Sequence, residues 1–345
     1  MDVYKILGKR KILKDMEDDE FESFLPEFCK ALVSIGFDTL LKNYINKLKS
    51  NEKDWENLKK KEITKNNINS TSIVGMNIIK RHMPHIYEVE NYKGKSIKKM
   101  WTYESIIKAV RTNRKSHSTP YFTEIVRQVG FTSGTSKVTM YRPLLTKRII
   151  QYFNATNVLD VCVGWGGRML GSLCIDGVSY TGIEPFSKTY EGLDKMKNDL
   201  NLDKATLYNK RAEEQLPLLP NNHYDIALTS PPYYNLEIYS DETSQSHHYG
   251  TYEEWIERFL KPVVYGVLEK LKDDGKSCWS VKNFKTDKKY NLYDDIVKLH
   301  EDKGWKKMDI EFYVGNCVRP GLKTDNKTNK KKKGKEITYV FEKTK

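Results

Sequence analysis

Between residues 157 and 283 five short apolar runs alternate with helical patterns, and this alternation constrains the fold more than any other feature of the chain. NVLDVCV (157–163), SYTGIEP (179–185), ATLYNK (205–210), YDIALTSPPYY (224–234) and KSCWSVKN (276–283) each read as a strand. Residues 186–201, the stripe from Tyr252 to Leu271, and residues 291–303 place apolar side chains at helical spacing, with Pro262 expected to kink the second of these. WKKMDIEFYVG and EITYVFEK follow as a strand pair. Strands alternating with helices imply an α/β fold with a parallel sheet wrapped on both faces. Ligands of such sheets bind beyond the carboxyl ends of the strands. The two least ordinary strings, GWGG (164–167) and SPPYY (230–234), both come directly after strands and therefore fall on one edge.

The chain before residue 150 is patterned differently. Phe21, Phe24, Leu25, Phe28, Leu32, Ile35, Leu40, Leu41 and Ile45 predict helix across 20–62, broken at Gly36. NNINSTS (66–72) punctuates the chain, and residues 73–150 are mixed, with short apolar runs interrupted by Gly and Pro. The expected division is a mainly helical region over 1–130 and a sheet-bearing domain over 131–345.

Charge sharpens this division. The chain of 345 residues has 59 Lys and Arg against 46 Asp and Glu, a net charge of +13. The excess is concentrated: residues 91–150 are net +11 and 323–345 net +6, whereas 151–322 are net −5. Two basic stretches flanking an acidic body suit a polyanionic partner, because phosphate contacts release counterions. A solvated lysine-rich surface has the same composition. No run approaches the roughly 18 apolar residues of a membrane span, and MDVYKILGKRKILKDMEDDE has no apolar core of a secretion signal. The cysteines (Cys29, Cys162, Cys174, Cys278, Cys317) are scattered without a CxxC pair, so neither a disulfide framework nor a zinc site is expected. The reading is a soluble intracellular protein from a reducing compartment, with no metal; the oligomeric state is not legible.

Two groups of residues carry chemistry. In the first, Asp160 ends a strand, and Gly164, Gly166 and Gly167 build a turn into a helix whose N–H groups face a ligand. Glu184 ends the next strand, where a carboxylate suits paired ribose hydroxyls. Close helix packing is the structural alternative for Gly167 and Gly171. In the second group, Ser230, Pro231, Pro232 and Tyr233 follow an apolar strand. The prolines stiffen the backbone and remove N–H donors while nearby carbonyls accept. Ser230 adds an acceptor and Tyr233 a flat face. Such a site suits a planar ring bearing an exocyclic amine, whose lone pair is aimed at an electrophile by positioning alone.

Ser230-Pro231-Pro232-Tyr233 resembles the (D/N/S)-P-P-(Y/F/W) motif of the S-adenosylmethionine-dependent DNA amino-methyltransferases, which modify N4 of cytosine or N6 of adenine. The resemblance covers roughly residues 130–345. It implies a Rossmann-like methyltransferase fold, a seven-stranded mostly parallel sheet with an antiparallel last strand, and S-adenosyl-L-methionine as cofactor. Asp160 to Gly167 resembles the family's first motif, although GWGG replaces its more usual Phe-x-Gly-x-Gly. Glu184 takes the place of the ribose acid, Glu213 or Glu214 that of the residue beside the adenine, and Tyr141, Arg142 and Pro143 that of the segment closing over the methionine end. The Ser form favours N4 of cytosine, with N6 of adenine as the alternative. The family includes restriction-modification enzymes, and 111–121 has the flavour of phage and large-virus relatives.

Base chemistry requires a flipped base or a single strand. Recognition is expected from 1–150, with Arg111, Arg114 and Lys115 of RTNRKSHSTPY (111–121) forming a phosphate-contacting loop. In the methyltransferase fold the loop before the last strand returns to the ligand edge. Here it is 315–335, with Lys330, Lys331, Lys332 and Lys333 expected over the DNA. Three other readings use the same residues: methylation of an RNA base, methylation of a glutamine amide, and a non-catalytic nucleic-acid-binding relative.

Overall fold

The computed structural model describes residues 2–63, 72–116, 119–135, 138–313 and 337–344. They form two compact units: Met1–Leu48, Pro84–Thr139 and Asn235–Tyr239 in one, and Lys49–Met83, Met140–Tyr234 and Ser240–Lys345 in the other. Cys317 and His117, with the 315–335 loop and its Lys330–Lys333 run, lie outside the described residues.

The first unit is helical. Its main helices are α1 (Asp18–Ile35), α2 (Phe37–Asn46), α3 (Tyr103–Ser116) and α4 (Phe122–Ser133). The expected break falls at Gly36, whose φ of +81° ends α1. The apolar stripes meet in one core, with Phe21, Phe28 and Leu32 of α1 packed with Leu40, Ile106, Val110, Ile125 and Val129. Residues 111–116, read from sequence as part of a loop, are instead the last turns of α3. The apolar spacing of Ile106, Ala109 and Val110 extends far enough to carry the polar residues after it into helix. Glu237–Ile238 pairs antiparallel with Glu90–Asn91 within this unit.

The second unit is built on a seven-stranded sheet. Its strands are β1 (Asn157–Asp160), β2 (Ser179–Ile183), β3 (Ala205–Tyr208), β4 (Tyr224–Thr229), β5 (Leu271–Val281), β6 (Trp305–Tyr313) and β7 (Ile337–Lys343). The spatial order is β3-β2-β1-β4-β5-β7-β6. Strands β1 to β5 run parallel to one another, and β7 is antiparallel to both β5 and β6. This is the expected α/β architecture, the Rossmann-like methyltransferase fold with its antiparallel last strand. Val158, Leu159, Ile226, Leu228, Cys278 and Trp279 are at 0% exposure, as central parallel strands covered on both faces require.

Two local features differ from the sequence reading. The stripe after Tyr252 is helical throughout, but Ile256–Leu260 is a π-helix between two α-helical pieces. Pro262 has no N–H to continue the regular ladder, and the turn before it opens instead. Residues 49–83 belong with the sheet unit rather than with the N-terminal helices. One tie is the buried Lys147 of α5 (Pro143–Tyr152), whose Nζ donates to the carbonyls of Leu58 at 3.1 Å, Lys59 at 2.8 Å and Lys61 at 2.8 Å. These carbonyls end the helix Asn51–Lys60, where that of Leu58 also accepts the Lys61 amide at 3.4 Å.

Candidate active site

Because β1 to β5 are parallel, the segments leaving them share one edge of the sheet. The chain order reverses between β1 and β4, which places a crevice between the two following loops. One of these loops is the glycine turn and the other is Ser230-Pro231-Pro232-Tyr233. The two strings are thus brought to the two sides of one switch point.

The glycine turn runs from Val161 into α6 (Gly167–Leu173). Gly166 has a φ of +83°, and a Cβ there would stand 2.9 Å from Leu193 Cδ2. Gly167 and Gly171, one turn apart, are pressed against the carbonyls of Tyr141 and Pro143, so a Cβ at either would collide with backbone. Both therefore serve close packing. They also bring Tyr141 and Pro143 against the start of α6. Tyr141 Oη lies 2.8 Å from Thr338 Oγ1, and Arg142 donates to the Ser72 carbonyl.

Asp160 is placed differently from its expected role at the ligand. Its carboxylate is 0% exposed. It accepts from Arg168 Nε at 2.7 Å, Tyr180 Oη at 2.7 Å and the Cys162 amide at 3.3 Å. Burial works against the Arg168 charge, and the Asp160 carboxylate beside it holds it protonated. Arg168 also donates to the carbonyls of Cys162 and of Val163, the latter at 3.3 Å. This ion pair shapes the turn from beneath. Sequence reading missed Arg168 because an arginine in the first turn of a helix looks like a surface residue.

Glu184 sits at the end of β2. Its Oε2 accepts the Gly164 amide at 2.8 Å and its Oε1 the Phe186 amide at 3.0 Å. Burial raises its carboxyl to about 7, against the two amide bonds that favour the charged form. Of the two acids beyond β3, Glu213 is the half-buried one. Burial raises its carboxyl, and Tyr249 donates to it. Glu214 points outward toward Arg211.

Sequence reading also missed the segment after the Pro-Pro turn. Glu242 accepts from the Ser187 amide and hydroxyl, each at 3.2 Å. Ser244 donates to the Pro185 carbonyl at 3.1 Å, and Arg211 donates to Tyr249 Oη at 3.1 Å. The stretch from Glu242 to Tyr249 therefore straps the carboxyl ends of β2 and β3, touching the loops that carry Glu184 and Glu213. Hydroxyls and one acid in a loop leave no periodic signal.

At the Pro-Pro turn, Ser230 donates its proton to the Ser280 carbonyl at 2.9 Å, which leaves its lone pairs to accept. Tyr233 is buried, with Phe284 edge-on at 5.5 Å and Lys282 Nζ 5.7 Å from its ring centroid. Tyr234 adopts a φ of +46° and turns into a second aromatic group with Tyr252 at 5.6 Å and Tyr290 at 5.7 Å.

The cations expected to touch nucleic acid divide. Arg111 forms a paired contact with Glu22, both bonds at 2.6 Å. Arg114 donates to Leu13 and Met16 carbonyls at 2.8 and 2.6 Å and lies over the Phe21 ring. The structure uses both to fasten α3 within the helical unit. Lys115 is exposed. Among the described residues no group of three or more His, Cys, Asp and Glu side chains could hold a metal, and no helix is long and apolar enough to cross a membrane.

No family model matches the chain, and no curated protein matches it. Solved structures do. TrmN from Thermus thermophilus is similar with a TM-score of 0.40 and 14% identity, over 58% of this chain and 48% of that one, so the chain spans about half of that protein's length. A SAM dependent methyltransferase from Aquifex aeolicus has a TM-score of 0.36 and 14% identity, over 57% and 89% of the two chains. The 1,6-didemethyltoxoflavin-N1-methyltransferase of Burkholderia thailandensis, solved with S-adenosylhomocysteine, has a TM-score of 0.38 and 14% identity, over 58% and 77%. These are likenesses of fold alone.

Proposed function

We propose that this protein transfers the methyl group of S-adenosyl-L-methionine to the exocyclic amino group of a DNA base, N4 of cytosine in preference to N6 of adenine. One observation carries the reading: Ser230-Pro231-Pro232-Tyr233 leaves β4 beside the glycine turn of β1, across the switch point of a methyltransferase-type sheet. The crevice residues fit the cofactor. Glu184 is a buried two-oxygen acceptor supported by two amides, suited to a pair of ribose hydroxyls, and the turn beside it has glycine at 164, 166 and 167. S-adenosyl-L-methionine supplies the electrophilic methyl group.

The chain's own residues do the rest. Glu184 and the turn hold the nucleoside end, while Tyr141 to Pro143 pack over the turn. Tyr233 offers a ring to the base. Ser230 accepts one amine hydrogen, so the nitrogen lone pair points toward the cofactor side. No general base is required, because the proton leaves the methylated amine after transfer. Labelled S-adenosyl-L-methionine incubated with DNA and, separately, with RNA tests the reading. Label in DNA is expected. Label in RNA alone moves the assignment to an RNA base, and cofactor binding without transfer to either moves it to a non-catalytic relative.

A further inference from the structure

β5 leaves the sheet at Val281, level with the Pro-Pro turn, since Thr229 of β4 is in register with Trp279 of β5. The chain then forms a hairpin in which Phe284–Lys285 pairs antiparallel with Lys289–Tyr290. Its two cross-strand pairs have opposite characters. Phe284 and Tyr290 stack at 4.9 Å and are buried, and Phe284 meets the Tyr233 ring. This inner face fixes the hairpin against the Pro-Pro turn. The outer pair sets Lys285 directly opposite Lys289, both exposed.

Like charges directly opposed across two strands destabilise a hairpin. Among the described residues no carboxylate pairs with either lysine. Asp287, the one acid in the hairpin, accepts from Thr286 Oγ1 at 2.6 Å and Tyr290 Oη at 3.1 Å. Lys288 lies 3.8 Å from Glu253. Among the described residues Lys282, Lys285 and Lys289 have no carboxylate within ion-pairing distance. Some exposed lysines elsewhere on this unit are paired, as Lys261 is with Glu257 at 2.7 Å, Lys272 with Asp225 at 2.6 Å and Lys343 with Asp273 at 2.8 Å. The uncompensated positive charge at this unit's ligand edge therefore includes a hairpin seated on Tyr233.

We propose that this hairpin is the phosphate-binding rim of the target site, with Lys285 and Lys289, supported by Lys282, holding the backbone of the DNA strand whose base meets Tyr233. The inference rests on the reading that Tyr233 receives a base. A flipped base stays attached to its own phosphates, so cations are needed at the rim of the cavity it enters. The opposed lysines also become favourable once an anion lies between them.

The test compares wild-type protein with K285Q/K289Q and K285E, measuring binding of a labelled mixed-sequence DNA duplex by anisotropy between about 50 and about 200 mM salt. The double variant should bind about tenfold more weakly at the low-salt end, with the slope of log K against log salt shallower by about two. Its affinity for S-adenosyl-L-methionine should be unchanged and its melting temperature no lower. K285E, which faces Lys289 with an opposite charge, should fold at least as stably and still lose DNA affinity. Wild-type affinity and salt slope in the double variant, with DNA methylation intact, would overturn this proposal alone. Failure of the wild-type protein to bind or methylate DNA would overturn the reading of Tyr233 and the proposal with it.

Discussion

The Glu184 carboxylate accepts the Gly164 amide at 2.8 Å, joining the end of β2 to the turn that follows β1. Glu184 and the glycine turn are therefore one structural piece. Movement of either is felt by the other through this bond.

This gives a pH prediction with a definite sign. Burial raises the Glu184 carboxyl to about 7 from its ordinary 4.5. The folded state thus holds the proton more tightly than the unfolded one, and folding stability should fall as pH climbs from 4.5 towards about 7, by at most about 3 kcal/mol. Ribose hydroxyls donate, so they favour the ionised form. Affinity for S-adenosyl-L-methionine should improve as pH rises, by up to about tenfold per unit below 7, and then level off. Calorimetric titration across this range should show the trend in wild type and lose it in Glu184→Gln.

The Asp160–Arg168 pair, at 2.7 Å and almost wholly buried, should be intolerant of single changes. Arg168→Met strands a buried carboxylate and should cost about 3–5 kcal/mol. Asp160→Asn in the same chain should recover much of that loss. Urea unfolding of both single variants and the double variant gives the coupling.

Gly171→Ala should destabilise by about 3 kcal/mol or more, because its Cβ would meet the Pro143 carbonyl and the Thr146 side chain, neither of which can move without shifting α5. A lower urea midpoint with an unchanged slope is the expected result. A neutral variant would mean that α5 slides freely on α6.

These predictions separate what could be read in the sequence from what could not. The alternation of strands and helices, the shared edge of GWGG and SPPYY, and the break at Gly36 follow from periodicity and from glycine and proline chemistry, which act locally. Arg168 was illegible because its burial depends on Asp160 eight residues earlier and Tyr180 on the next strand. The helical state of Arg111 and Arg114 was missed because their partners, Glu22, Leu13 and Met16, lie about ninety to a hundred residues away in the chain. Lysine-rich strings look alike in sequence, and only the register of the 284–290 hairpin shows which lysines oppose one another.

Tyr233→Ala should lower transfer with little effect on cofactor binding. Base stacking on an aromatic ring is worth about 1–3 kcal/mol, so kcat/KM should fall by roughly five- to more than a hundredfold. Equal loss of cofactor affinity would show that the ring supports the crevice rather than the base.

The most direct test of the account is nucleoside analysis of mixed-sequence DNA after incubation with the protein and methyl-labelled S-adenosyl-L-methionine. The account predicts label in N4-methylcytosine. Label in N6-methyladenine would contradict the role given to Ser230, and label at a ring carbon, or in no nucleoside at all, would contradict amine methylation by Ser230-Pro231-Pro232-Tyr233.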